Sequence, residues 1–230
     1  MIEVVPHCLQ LRGRIVHCYA LLEPESITLI DGGFLTMTPK RIAAELEKAG
    51  RNISEVSRIL LSHGHIDHTL NIAELKRLSG AEVWAPEIDA NHIAGNYQYK
   101  GISRVCGWME TATRRMFSYE APEIDRWFSP GECLNVWGGL EVIPLPGHTL
   151  GHVGFYSGQR RLLFAADLFA NFYYHAKLPP PWFNVDRAAI NESLKRADAL
   201  DLSGGVLVSH CHRGNPATHR RDLAKLAARV

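Results

Sequence analysis

The sequence predicts an α/β fold in which two sheets pack together with helices outside them. The first observation is that each half of the chain runs strand-type stretches first and helix-type stretches after. The second is size, since 230 residues that are 46% hydrophobic can build one large core. The third is continuity, because no low-complexity segment, linker or exact repeat interrupts the chain. We therefore expect a single domain spanning residues 1–230.

Strands are predicted in the first third where Val and Ile are frequent and where Gly, Pro or charged residues bound the stretch. These stretches are residues 2–5, 15–22, 27–30, 56–61 and 81–85. A helix is predicted with Thr38 as N-cap, Pro39 at its first position and Gly50 as its stop. A second helix is predicted over residues 69–80, where the apolar side chains fall on or near one face.

The second half of the chain repeats this order. Strands are predicted at residues 140–145, 153–156, 162–166 and 206–208. Asp186 is the predicted cap of a helix over residues 187–200, and Asn215 with Pro216 opens a C-terminal helix. Between the halves, residues 87–132 show no clear helical or strand periodicity of apolar residues. We interpret them as a helical and loop insertion whose aromatic side chains pack in the core or in a lid.

Composition excludes several classes of protein. A formal net charge of +1 provides no basic field for a nucleic-acid backbone. Five cysteines, odd in number and without CxxC spacing, argue against a disulfide framework or a thiolate zinc site. No stretch is apolar enough to cross a bilayer, and the N-terminus does not resemble an export signal. These features predict a cytoplasmic protein with no membrane or nucleic-acid partner.

The hexapeptide HGHIDH, residues 63–68, follows directly on the apolar residues 59–61. A buried imidazole or carboxylate needs a partner, so this stretch is either a solvated loop or part of a metal site. Two further loops after predicted strands carry histidine pairs, at 148 and 152 and at 210 and 212, and the strand 162–166 ends at Asp167. Because ligands bind at strand ends in layered α/β folds, the metal site is the favoured interpretation.

Imidazole and carboxylate together suit Zn²⁺ better than a hard cation such as Ca²⁺. The spacing within HGHIDH lets its first two histidines serve one metal and its Asp-His pair a second. The predicted ligands form two sets: His63, His65 and His148, and Asp67, His68 and His210, with Asp167 bridging. Two metals about 3.5–4 Å apart can share a hydroxide. We therefore expect two Zn²⁺ ions, with Fe or Mn as possible replacements.

Four motifs in order, HGHIDH, PGHTLGH, FAADLF and SHCH, together with Asp31 in LIDGG, resemble those of the metallo-β-lactamase-fold hydrolases. The resemblance runs from about residue 27 to residue 212. It implies a four-layer αββα sandwich, a dinuclear and usually zinc site at its edge, and hydrolysis by a metal-bridging hydroxide. Carried over, it implies the same ligands, a catalytic role for Asp67 in orienting the hydroxide and passing on a proton, and a structural role for Asp31.

The other histidines near these motifs are not expected to be metal ligands. His152 is expected to support the ligand loop, and His210 is preferred to His212 because it directly ends its strand. Cys211 is expected to be buried filler. His175, in an aromatic and Pro-rich loop, could wall a substrate pocket or simply pack. The histidines without any visible constellation are His7, His17, His92 and His219.

The expected substrate is a small ester, thioester or lactone, as in the glyoxalase II-like and lactonase-like branches of the family. Glyoxalase II enzymes usually add a C-terminal helical domain, whereas only one helix of chain follows His210. Lactonases often carry a tyrosine shortly after the bridging aspartate, and here Tyr173 and Tyr174 come later. True β-lactamases are normally exported, and a nuclease would want a basic patch, so both are disfavoured.

One alternative belongs to a different reaction class. Persulfide dioxygenases resemble this sequence in fold and in HxHxDH, but hold one iron, for which the ligands here would be His63, His148 and Asp167. The GRTDF-like stretch associated with that branch is absent after the aspartate. Metal content separates the two cases, because hydrolysis predicts two zinc ions and the dioxygenase predicts one iron.

Overall fold

The structure, a computed structural model, describes residues 1–172 and 175–230. Its contacts divide the chain into two compact units. Unit 1 comprises residues 1–96 and 110–128, and unit 2 comprises residues 97–109 and 129–230. Each unit has its own sheet and its own apolar core. The single domain over residues 1–230 stays a prediction.

Unit 1 is built on a seven-stranded sheet whose order follows the chain. Its strands are β1 (Ile2–Val5), β2 (Cys8–Arg12), β3 (His17–Leu22), β4 (Ile27–Ile30), β5 (Val56–Leu60), β6 (Glu82–Pro86) and β7 (Arg126–Phe128). Its helices are α1 (Pro39–Lys48), α2 (Ile66–Thr69), α3 (Ile72–Ser79) and α4 (Ala90–Ile93). Strands β1 to β4 run antiparallel, whereas β4 to β7 run parallel. The segments after β4, β5 and β6 therefore leave the sheet at one edge.

Local sequence explains the elements of unit 1. The Thr38 side chain accepts a hydrogen bond from the Arg41 N–H at the start of α1, as the predicted N-cap should. Ile42 and Leu46 on the inner face of α1 are fully buried with Ile59 of β5. Burial of each such side chain contributes about 1.5–3 kcal/mol. This packing fixes the sheet edge from which the metal-ligand loop departs.

Unit 2 has a five-stranded sheet, counted over its described residues, with the order β14-β11-β10-β9-β8. The strands are β8 (Cys133–Leu134), β9 (Leu140–Pro144), β10 (Val153–Ser157), β11 (Leu162–Ala166) and β14 (Gly205–Val208). A separate pair is formed by β12 (Ala170–Phe172) and β13 (His175–Lys177). Both β9 and β11 are antiparallel to β10, and β14 is parallel to β11. The loops after β9, β11 and β14 consequently share one edge.

The remaining helices complete the fold. Helix α5 (Arg104–Met116) has residues in both units, while α6 (Arg187–Asp198) and α7 (Pro216–Ala227) belong to unit 2. The predicted N-caps are confirmed. The Asp186 side chain accepts hydrogen bonds from two backbone N–H groups of α6, and the Asn215 side chain accepts one from a backbone N–H of α7. Short 3-10 turns lie at Ile53–Glu55, Glu87–Asp89, Gly101–Ser103 and Pro181–Phe183.

The structure differs from the sequence-based elements in several places. Strand β2 was not predicted, and the strand predicted at residues 15–22 begins only at His17. Within the predicted insertion, Arg126–Phe128 forms a strand that pairs with β6. The aromatic and Met side chains of α5 are not all in the core, since Trp108 is 67% exposed. No helix in the described part of the chain has the length and hydropathy needed to cross a membrane.

Candidate metal centre

Unit 1 carries four predicted ligands on the loop that follows β5 and on the short helix α2 that ends it. His63, His65 and His68 are buried, and the His63 ring centroid lies 5.0 Å from that of His65 and 4.2 Å from that of His68. The Asp67 side chain is partly open to solvent, and its Oδ2 lies 3.9 Å from Nε2 of His68. The structure therefore brings together all the ligands predicted in this loop.

Asp31 holds this loop from the neighbouring strand β4. Its Oδ1 accepts a hydrogen bond from the Ser62 N–H at 2.8 Å, and its Oδ2 accepts one from the Ser62 hydroxyl at 2.8 Å. The same Oδ2 lies 2.9 Å from Nδ1 of His68. Asp31 has a φ of 61°, a left-handed conformation that Asp tolerates better than most residues. The structural role predicted for Asp31 fits these contacts.

These contacts also determine which ring nitrogens of His63 and His68 carry a proton. A carboxylate only accepts, so Nδ1 of His68 donates to Asp31. The Ser62 hydroxyl gives its single hydrogen to Asp31 and must accept from Nδ1 of His63, which is 2.9 Å away. In the neutral rings, each Nε2 therefore presents a lone pair. This is the arrangement by which hydrogen-bonded partners orient metal-ligating histidines.

Cys18 lies near Asp31 but does not join the donor set. Burial raises the pKa of its thiol strongly, and the negative charge of Asp31 raises it further. The side chain consequently remains a neutral thiol at physiological pH, whereas a metal ligand would have to be a thiolate.

Unit 2 brings together the other three predicted ligands. Oδ2 of Asp167 lies 3.4 Å from Nε2 of His148 and 3.0 Å from Nε2 of His210. With metal–ligand bonds of 2.0–2.1 Å, two donors on a tetrahedral zinc ion are about 3.3 Å apart. Each of the two distances is thus close to that expected of a pair of donor atoms on a common cation.

Asn184 fixes the orientation of His148. Its Nδ2 donates to the carbonyl oxygens of Pro179 and Pro180 at 2.9 and 3.2 Å, which turns Oδ1 towards Nδ1 of His148 at 3.0 Å. Nδ1 of His148 therefore donates, and Nε2 presents a lone pair towards Asp167. Sequence reasoning missed Asn184, because its place in a Pro-rich loop gives no sign of the contact with His148.

The predicted supporting role of His152 agrees with its contacts. Nδ1 of His152 lies 2.9 Å from the carbonyl oxygen of Leu145, and its Nε2 accepts from the Asp167 N–H at 3.1 Å. Both ring nitrogens are thus used within the protein, which leaves none for a metal. Ala166, immediately before Asp167, has a φ of 45°, a conformation that costs a non-glycine residue about 1–3 kcal/mol. The backbone is therefore forced into the turn that presents the Asp167 carboxylate.

The remaining candidates differ in their exposure. His212 is exposed, whereas the His210 ring contacts Asp167. Cys211 is buried, as expected of filler, and His175 is exposed on β13. Tyr173 and Tyr174, which bear on the lactonase comparison, lie outside the described residues.

The donors fit a divalent transition metal. The His and Asp side chains that could hold a metal ion are His63, His65, Asp67 and His68 in unit 1 and His148, Asp167 and His210 in unit 2. Neutral imidazoles and carboxylates are the usual ligands of zinc and of iron, and a purely oxygen-binding cation would not favour such a set.

Comparisons with known proteins identify the family. A family model described as the metallo-beta-lactamase superfamily matches residues 11–212. A metallo-beta-lactamase family protein from Thermus thermophilus superposes with a TM-score of 0.75 at 20% identity, over 99% of this chain and 80% of that one. The chain belongs to the metallo-β-lactamase superfamily, and its α/β fold is the metallo-β-lactamase fold.

Two curated relatives share part of their sequence with this chain. Hydroxyacylglutathione hydrolase GloC of Haemophilus influenzae is 29% identical over 136 residues, which are 56% of this chain and 56% of the relative. Hydroxyacylglutathione hydrolase of Pseudomonas paraeruginosa is 35% identical over 158 residues, which are 67% of this chain and 47% of the relative. The chain thus spans about half the length of these relatives.

Proposed function

We propose that this chain is a metal-dependent hydrolase that cleaves a small-molecule thioester, ester or lactone, with two divalent metal ions at its centre. The observation that carries the proposal is the approach of two imidazole nitrogens, from His148 and His210, to one oxygen of Asp167 at 3.4 and 3.0 Å. Imidazole nitrogens at these distances from a carboxylate oxygen are spaced as the ligands of a divalent cation would be. A cytoplasmic location stays a prediction.

The ligand sets of the proposal are those that the sequence motifs imply. His63, His65 and His148 would hold one metal, and Asp67, His68 and His210 would hold the other, with Asp167 bridging. Zinc is the expected metal, because these donors are imidazoles and carboxylates. The contacts of Asp31, Ser62 and Asn184 with the far ring nitrogens support the assignment.

The metal ions would lower the pKa of a water molecule and polarise the substrate carbonyl. Asp67 is suited to the proton-handling role, because its carboxylate is partly open to solvent whereas that of Asp167 is buried. Its oxygens would orient the attacking water, accept a proton and pass it to the leaving group. His152 would keep the Asp167 carboxylate in place through the Asp167 N–H.

Thioesters are the first substrates to test, because two partial relatives are named hydroxyacylglutathione hydrolases. Hydrolysis of such a thioester releases a thiol and a hydroxy acid. The reaction requires no Ser or Cys nucleophile, and so the buried cysteines have no assigned step.

Turnover of a hydroxyacylglutathione thioester by the metal-loaded chain tests the proposal. His63→Ala should abolish metal binding and turnover together, whereas Glu120→Ala, which removes an exposed carboxylate that pairs with Arg77, should leave both unchanged. Full turnover by metal-free His63→Ala would contradict the mechanism. If the chain instead binds one iron ion and consumes oxygen when a persulfide is supplied as substrate, the dioxygenase alternative is established.

A further inference from the structure

Two buried carboxylates outside the HGHIDH motif hold the backbone of the ligand loop. Oδ2 of Asp89 accepts a hydrogen bond from the Gly64 N–H at 2.8 Å. Oε1 of Glu110 accepts one from the Ile66 N–H at 2.9 Å. Asp89 is fully buried and Glu110 is 8% exposed. The amides on both sides of His65 are thus fixed by side chains from residues 87–132, the segment predicted as an insertion.

We propose that Asp89, Glu110 and Arg114 form a brace that positions the ligand loop, and His65 in particular, for metal binding. The inference rests on the proposed function, because it assigns the brace to the same metal centre. These are positioning residues, since they contact the backbone of the loop at Gly64 and Ile66. The brace gives the 87–132 segment a role beyond filling space.

Glu110 acts on the loop as a helix cap supplied from elsewhere in the chain. Ile66 is the first residue of α2, and its N–H is among those that a helix leaves without a partner in its own backbone. His65 precedes α2 and provides no side-chain cap. Glu110 therefore fixes where α2 starts, and hence where Asp67 and His68 point.

Arg114 links Glu110 to the rest of unit 1. Its Nη2 donates to the carbonyl oxygen of His92 at 2.9 Å and lies 3.6 Å from Oε2 of Glu110. The guanidinium also lies over the Tyr119 ring, 4.2 Å from its centroid. The Tyr119 hydroxyl donates to the carbonyl oxygen of Ile93 at 2.7 Å. Arg114 thus joins Glu110 on α5 to the end of α4.

Close packing at Gly64 adds a steric constraint to the same brace. A Cβ at this position would lie 2.4 Å from Cβ of His92 and 2.7 Å from the Ile93 nitrogen. Only glycine lets α4 approach the loop this closely, which is why the motif has glycine between its first two histidines. The approach also brings the His92 ring centroid to 5.9 Å from that of His65.

Stability alone does not account for a brace of this composition. Burial of a charged pair such as Glu110 and Arg114 costs desolvation that apolar side chains of similar volume would avoid. What the charged groups add is direction, because each contacts a particular N–H or carbonyl of the loop or of the adjacent α4. Partners that orient metal ligands typically change metal affinity about 10–100-fold when removed.

The first measurement is zinc affinity by competition with a chromophoric chelator. Glu110→Ala should weaken binding about 10–100-fold, whereas Glu110→Gln, which keeps an acceptor of the same length, should stay within about threefold. Glu120→Ala is the matched control, because Glu120 is an exposed carboxylate of the same segment that pairs with Arg77 at 2.8 Å. Its zinc affinity should equal that of the unmodified chain.

The second measurement is amide hydrogen exchange in the metal-free chain, which does not depend on the proposed function. Glu110→Ala should speed exchange at the Ile66 N–H, and Asp89→Ala should speed it at the Gly64 N–H. The Ser62 N–H, which Asp31 holds, should exchange as before in both variants. If Glu110→Ala does not fold, Glu110→Met keeps the volume while removing the acceptor.

The two measurements separate the two proposals. Failure of the unmodified chain to bind zinc, together with the expected exchange pattern, would refute the metal centre but leave the brace of the loop intact. Unchanged zinc affinity in a folded Glu110→Ala or Glu110→Met variant would overturn the brace as a positioning device. Equal losses in Glu110→Gln and Glu110→Ala would also overturn it, because the acceptor would then not matter.

Discussion

Oδ2 of Asp31 lies 2.9 Å from Nδ1 of His68 and at the same time accepts the Ser62 hydroxyl at 2.8 Å. One carboxylate at the end of β4 thereby fixes the protonation pattern of two histidines that follow β5, since Ser62 in turn contacts His63. The two strands are parallel neighbours, so their ends meet at one edge of the sheet. The metal-ligand loop is therefore aligned by a residue more than thirty positions earlier in the chain.

Asp31→Asn tests this relationship directly. Asn tolerates the left-handed backbone at this position, but an amide nitrogen in place of Oδ2 can accept a hydrogen bond neither from the Ser62 hydroxyl nor from His68. We expect zinc affinity to fall about 10–100-fold and the free energy of unfolding to fall by about 1–3 kcal/mol. Chelator competition and denaturant titration measure the two effects. Asp125→Asn, which disturbs a contact with Lys76, should lower stability without changing zinc affinity.

Asn184→Leu removes the acceptor that orients His148. His148 should then reach both tautomers and a wider range of ring orientations, which weakens zinc binding about tenfold or more. The zinc dissociation constant measures the effect. An unchanged constant in the folded variant would show that Asn184 only packs against the ligand.

His210 and His212 provide a matched pair two residues apart. The His210 ring contacts Asp167, whereas His212 is exposed. His210→Ala should lose one metal equivalent and nearly all turnover, and His212→Ala should retain both. Metal analysis and initial rates of thioester hydrolysis check this expectation, and the reverse result would exchange the two roles.

The buried imidazole of His219 is expected to make the free energy of unfolding depend on pH. Burial in α7 lowers the pKa of this imidazole to about 4, although Asp222 opposes the shift. The unfolded chain takes up the proton near pH 6.5, so the contribution to stability is complete above that pH and is lost as the pH falls towards 4. The loss amounts to roughly 3 kcal/mol by the end of this window. Denaturant titrations of His219→Gln should show a shallower decline between pH 6.5 and 4, and parallel curves would contradict the assignment.

Much of unit 1 and unit 2 could be predicted from the sequence. Strand β5 is a run of apolar residues that ends at the histidines, and α1 carries Thr38, Pro39 and Gly50 at the expected positions. Such signals are local, and so they can be read from neighbouring residues alone. The candidate ligands were found for the same reason, because each follows a predicted strand directly.

The features that were missed depend on contacts between distant residues. Strands β7 and β8 have three and two residues, too few to establish a period of two. Asn184 is distinguished only by its contact with His148, 36 residues away. Glu110 and Arg114 lie on a helix whose exposed face carries Trp108, and so hydropathy alone gave no sign that its polar side chains are buried. The orientation of the ligands thus depends on contacts between residues that are far apart in the sequence.

The metal stoichiometry of the purified chain tests the central claim most directly. Equilibrium titration of the metal-free chain with zinc, followed by elemental analysis, should give two equivalents. Asp167→Ala should weaken the binding of both zinc ions, because the Asp167 carboxylate contacts His148, a predicted ligand of one ion, and His210, a predicted ligand of the other. A folded chain that binds no metal, or that hydrolyses thioesters at full rate with Asp167 replaced, would contradict the account.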